Sequence, residues 1–152
     1  WDNGDFIFSL APYNSDSLTK GKCLAYTDSL FVLQKTLLDY DDNIDLNVEF
    51  FSPFISIPNG VSYNRAVNNN VFILQKGNIS ESFFFDFGQL NVKEEYLSNL
   101  STMQEEGGEY CYIASTPIFY KDLVLGCINK SGEIFSFTSL KASCIVPTQS
   151  LF

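Results

Sequence analysis

Asp39-Tyr40-Asp41-Asp42-Asn43-Ile44-Asp45 comes nearest to a reactive constellation in this sequence. Asp39, Asp41, Asn43 and Asp45 offer oxygen ligands at positions 1, 3, 5 and 7 of a calcium loop, but the loop fails where it matters. Position 6 is Ile44, where the sharp turn needs Gly, and position 12 is Phe50, where a bidentate Glu should close the site. A solvated acidic loop is the simpler reading, and no metal or other cofactor is expected. There is no histidine in the chain, which removes every hydrolytic arrangement that depends on an imidazole. Two of the 18 acids could pair to hydrolyse a glycoside. Most of them fall in loops or on the one helix-like segment, so the chain is not expected to be an enzyme. Cys23, Cys111, Cys127 and Cys144 contain no C-x-x-C, and zinc would need all four thiolates. Free thiols are expected, with one disulfide as the alternative. Sequons at Asn78, Asn99 and Asn129 occur about as often as chance allows and decide nothing.

Composition narrows the partners further. A net charge of −9 repels phosphate backbones and anionic headgroups, so nucleic acid is not expected. No apolar run reaches the roughly 18 residues that span a bilayer, so membrane insertion is not expected either. A length of 152 residues suits one domain. Because it opens on Trp1, it reads as a fragment of a longer chain.

Strand patterns must position whatever function there is. Asp5–Leu10 reads as a short aromatic strand closed by Ala11-Pro12-Tyr13-Asn14. The long apolar region Lys22–Leu38 reads as two strands split near Asp28. Pro53 breaks Val48–Ile57, which favours an edge or a bulge there. Val61–Val67 is a short strand, and Val71–Gln75 with Ser82–Phe87 reads as a hairpin around Gly77-Asn78. Glu109–Tyr120, Leu123–Asn129 and Glu133–Phe137 read as a meander. One helix is expected over 92–106, started by Asn91 with Glu94 and stopped by Gly107-Gly108. Val92, Tyr96, Leu100 and Met103 give it a narrow apolar stripe. The result is a β-rich α+β domain, or a sandwich with an inserted helix.

Ser115–Phe137, STPIFYKDLVLGCINKSGEIFSF, resembles part of the rotavirus outer-capsid spike head, where a strand opening Ser-Thr-Pro leads through a Gly turn into an aromatic strand. DFIFSLAPYN at Asp5–Asn14 and SFFFDF at Ser82–Phe87 are similar to two further strands of that head, in the same order. The helix at 92–106 and the short C-terminal end depart from the group A pattern and fit a divergent group, group B above all. The resemblance implies an antiparallel sheet wrapped around one central helix, with a galectin-like β-sandwich carrying an inserted helix as the alternative. It implies residues 1–152 as a single attachment domain on the virion outer capsid surface. Its partners would be host cell-surface glycans and the remainder of the spike protein. By the same resemblance, Arg65 with Asn64, Tyr63 and Asn69 would form the glycan site, Arg65 lying in an Asn-Arg context upstream of Phe83–Asp86. A solvated surface arginine is the other reading of Arg65.

Two other readings compete. An extracellular ligand-sensing domain of a bacterial receptor also combines a sheet, a helix and a strand of the TPIFYKDLVLGC kind. One blade of a β-propeller fits Ile113–Phe137, but a second copy of that pattern should then recur after about 40–50 residues, and none is found.

Overall fold

A computed structural model of the chain describes residues 5–11, 14–40, 52–65, 67–97, 99–105 and 109–141. Their strands form three antiparallel sheets. The first is β1 (Phe6–Ser9), β2 (Lys22–Thr27) and β3 (Leu33–Asp39), in that order. The second is β4 (Phe54–Ile57), β5 (Gly60–Asn64), β6 (Asn70–Gln75) and β7 (Asn78–Phe84). The third is β8 (Cys111–Tyr120), β9 (Leu123–Lys130) and β10 (Glu133–Leu140), with β9 in the middle.

Local chemistry sets these boundaries. Asp28 divides the region Lys22–Leu38 because its carboxylate accepts from the backbone N–H groups of Leu30 at 2.9 Å and Val32 at 3.0 Å. That turn satisfies the backbone in place of a ladder. Pro58-Asn59 closes the β4–β5 hairpin onto Gly60. A β-carbon on Gly60 would lie 2.3 Å from the Leu74 carbonyl oxygen, so no side chain fits there.

The sheets stack face to face. Val71 and Ile73 of β6 join Phe83 and Phe85 against Ile113, Phe119 and Val124 of the third sheet. Phe83 and Phe119 stack with ring centroids 4.7 Å apart. On the opposite face, Tyr63 and Leu74 pack on Cys23 and Leu24 of the first sheet, with Ile7, Leu37, Phe54 and Phe72 around them. The middle sheet is therefore covered on both sides. The outward face of the third sheet leaves Ile118, Leu123, Leu125, Ile134 and Leu140 exposed, and that of the first leaves Phe8, Leu30, Phe31 and Val32 exposed.

The expected α+β architecture is not found, nor is a sheet wrapped around a central helix at 92–106, nor a sandwich with an inserted helix. That segment holds a 3₁₀ turn at Glu94–Tyr96 and a six-residue α-helix, α1 (Leu100–Glu105). The presumed cap is engaged elsewhere. The Asn91 side chain donates to Asp86 at 2.6 Å and accepts from the Phe87 N–H at 3.1 Å, while Lys93 begins the turn without a side-chain cap. Asn99 instead accepts from the Thr102 N–H at the start of α1. Val92, Tyr96 and Leu97 do bury apolar surface, against Val67 and Tyr110. The side chains of Leu100 and Met103 lie outside the described residues, as do the acidic stretch 41–51, the Gly107-Gly108 stop and Cys144. Cys23, Cys111 and Cys127 are free.

Phe83→Ala should therefore cost about 3–5 kcal/mol in urea unfolding, the range for emptying a buried aromatic site. Ile134→Ala, on the uncovered face, should change stability by less than about 1 kcal/mol. Similar losses from both would mean that the outward face of the third sheet is core.

Candidate functional site

Stacking the sheets brings their first strands to one side. β4 packs beside β8, and a crevice separates β4 from β1. The crevice has a volume of about 370 Å³ and is lined by Asp5 to Phe8 of the first sheet and by Phe54, Ser56 and Val61 of the second. It adjoins a second cavity of about 500 Å³ that shares Ser56 and Val61 and extends to Asn59, Gln75 and Lys76. The two cavities thus meet at Ser56 and Val61, with the Phe54 ring between the sheets, Asp5 at one end and Lys76 at the other.

β1 and β4 are both edge strands, and their hydrogen-bonding phase is fixed. Leu10 N–H donates to the Cys23 carbonyl at 2.8 Å, which turns the backbone groups of residues 6, 8 and 10 toward β2. The N–H and C=O of Ile7 and Ser9 therefore face the other way. Asn64 N–H donates to the Pro53 carbonyl at 3.2 Å, so residues 53, 55 and 57 bond to β5. Phe54 and Ser56 face outward. Among the described residues, no backbone group reaches these outward-facing positions. The Phe54 carbonyl accepts from the Ser52 hydroxyl at 2.9 Å.

The mouth is held by contacts across the two sheets. Tyr26 donates its hydroxyl to Asp5 at 2.5 Å, and its ring covers Gly77, where an added β-carbon would come within 2.7 Å of the ring. Lys35 lies over the same ring and donates to Asn78 at 2.7 Å. Asp5 is thus oriented from the first sheet while Tyr26 grips the β6–β7 turn of the second.

The residues expected to bind a glycan lie behind this crevice rather than on a surface. Tyr63 and Asn64 are fully buried, Asn69 is buried and Arg65 is half-buried. Arg65 donates to the Cys23 sulfur at 3.1 Å, with its guanidinium 4.5 Å from the centre of the Tyr40 ring. Asn64 donates to the carbonyls of Asn68 and Asn70, at 2.6 and 2.7 Å. Asn69 bridges sheets, donating to Asn91 at 3.1 Å and accepting from the Ile113 N–H at 3.3 Å. Arg65 and Tyr63 share the Cys23 environment, Asn64 secures the turn after β5, and Asn69 ties that turn to Asn91 and to β8. Pro53 marked the edge at β4, but the crevice residues were missed because nothing in the sequence sets β1 beside it.

Among the described residues, this interior leaves Ser62 Oγ, Asn64 Oδ1 and one terminal nitrogen of Arg65 without hydrogen-bond partners, and the Tyr63 hydroxyl with at most a weak contact to Ser9. Burial pushes the Tyr63 hydroxyl well above its usual range, with Cys23 adding to the effect and Arg65 opposing it. Burial likewise raises the Cys23 thiol, against the Arg65 hydrogen bond. By contrast, the Gly88 N–H and the Asn91 amide hold the Asp86 carboxyl below its ordinary value.

Comparison with known proteins fits this arrangement. Residues 1–125 match the model of DUF5128, described as a 6-bladed beta-propeller. The crystal structure of a Bacteroides fragilis protein described as exported superposes with a TM-score of 0.69 at 13% identity. The match covers 94% of this chain and 42% of that one, so the chain spans about two fifths of that protein's length. At such identity the likeness is one of fold. No curated protein matches. These findings overturn the rotavirus spike-head reading, and with it viral attachment and the virion outer capsid as location. They also reverse the case against a propeller, which had rested on the lack of a second copy of one strand pattern in the sequence.

Tyr63 and Cys23 ionise less readily when folded than when unfolded. The stability they contribute is complete below the pH where the unfolded groups titrate, and is lost progressively as pH rises above about 9 for Cys23 and about 10 for Tyr63 toward their raised folded values. Tyr63→Phe should leave the melting temperature at pH 7 unchanged or slightly raised, because a buried hydroxyl with at most a weak contact to Ser9 is removed. It should also flatten part of the alkaline decline. A drop of more than about 2 kcal/mol at pH 7 would show that the hydroxyl is hydrogen-bonded, with Ser9 the nearest candidate.

Proposed function

The chain belongs to a family of 6-bladed β-propellers, and from that premise we propose that it binds a ligand outside the bacterial cytoplasm, in the crevice between β1 and β4, without catalysis. The crevice carries the reading: two cavities joined at Ser56 and Val61 combine aromatic rings with a small set of polar groups. Binding sites commonly have that make-up, an apolar lining with a few placed polar groups. The likeness to an exported Bacteroides fragilis protein supports the extracytoplasmic setting, and it favours the ligand-sensing alternative over attachment to a host. Asp5 is held by the Tyr26 hydroxyl, an arrangement suited to orienting a bound group. With a net charge of −9, neutral or cationic ligands are favoured over nucleic acid.

Val61→Trp tests this directly, since Val61 lines both cavities and the larger ring fills them. The wild-type chain should retain members of a mixed library of oligosaccharides and short peptides. Val61→Trp should retain none above background while melting within a few degrees of wild type. Equal retention by both proteins would place binding elsewhere.

A further inference from the structure

We infer that a second copy of this chain docks on the outward face of the third sheet, closing a two-copy ring of six sheets. Val124, Ile128 and Phe137 pack inward on the second sheet, so their neighbours in β9 and β10 point outward. Those outward positions are every second residue from Leu123 to Asn129 and from Ile134 to Leu140. None is charged, although the chain carries 18 acids and 9 bases. Strand register gathers the face into rows: Ile118, Leu125 and Thr138 form one, and Tyr120, Leu123 and Leu140 the next. The apolar side chains of both rows are exposed. A contiguous, charge-free apolar face of this kind marks an interaction surface.

The chain itself carries a face that fits. The second sheet takes the first sheet on one face and the third on the other, so successive sheets stack head to tail. Among the described residues the third sheet has no successor and the first has no predecessor. The first sheet presents an aromatic cluster outward: Phe6 stacks on Phe31 with ring centroids 4.8 Å apart, and Phe8 lies beside them, while Ile7 packs inward. Head-to-tail contacts repeated from copy to copy either close into a ring or grow into a filament. Here the family fixes the count, since its ring holds six blades and two copies of three sheets supply six. Two chains of net charge −9 repel one another, so the ring forms at high protein concentration and in screening salt. In dilute solution both faces stay uncovered.

Light scattering of the 152-residue chain across a concentration series, in about 0.15 M salt, tests this. The mass should rise from 17.1 kDa to twice that value and no further. That readout needs no variant to fold. Leu125→Glu and Phe31→Glu each place a carboxylate on one of the two faces, and each variant alone should stay a monomer over the same range. Mixed in equal amounts they should associate again, because one contact of the mixed pair is wild-type on both sides. A mixture no more associated than either variant alone would overturn head-to-tail docking. Loss of pairing in Leu125→Glu with none in Phe31→Glu would show two third sheets face to face and overturn the ring. A wild-type mass of 17.1 kDa at every concentration would overturn the second copy as occupant, and a mass growing without limit would overturn closure.

Discussion

Burial of the middle sheet on both faces is the constraint from which the rest of this structure follows. In β6, Val71 and Ile73 point to the third sheet while Phe72 and Leu74 point to the first. No position along that strand is left for solvent, so the usual alternation of apolar and polar residues is suppressed. Each neighbouring sheet must then lie flat against it. Burying a side chain such as Phe83 or Leu74 contributes about 1.5–3 kcal/mol, so the two interfaces outweigh any single turn or cap. The outward faces of the first and third sheets keep exposed apolar residues of the same kinds, as blades do when they are built to stack in series.

Face-to-face stacking has a consequence at the edges. β1, β4 and β8 are each the first strand and an edge strand of their sheet, and stacking gathers them on one side. An edge strand presents unpaired backbone groups, which proteins usually cover or blunt. Here a crevice lies beside two such edges, and Tyr26 holds Asp5 of the first sheet while its ring covers Gly77 of the second. The interior behind it is polar and tightly engaged. Arg65 spends its charge on the Cys23 sulfur and the Tyr40 ring, which suits a residue that joins two sheets. These buried side chains secure the packing of the first sheet on the second.

That division explains what was legible in the sequence. Strands could be read from aromatic and β-branched runs, and Asp28 and Pro53 marked true boundaries, because turn chemistry is local. The helix at 92–106 failed because the capping side chain of Asn91 is claimed by Asp86 and the Phe87 N–H, a competition no spacing reveals. The propeller was set aside for want of a repeat. A short one exists in the first strands of the first and second sheets, Phe6-Ile7-Phe8-Ser9 and Phe54-Ile55-Ser56-Ile57, whose starts are 48 residues apart (54 minus 6). Stacked sheets need matching faces rather than matching sequences, so little more is conserved between them. The same generic strand patterns produced the echoes of a viral spike head. Arg65 drew attention because it is the single arginine, while Ile7 and Ser56, which line the crevice, carry no signal in their side chains.

Residue-resolved amide hydrogen exchange tests the doubly covered middle sheet and its exposed inner edges in one experiment. In the chain without ligand, the slowest amides should be those of β6, exchanging only through global unfolding, while the N–H groups of Ile7, Ser9 and Ser56 should exchange quickly. Protection at β10 equal to that at β6, or slow exchange at Ile7 and Ser56, would contradict this arrangement of sheets and edges.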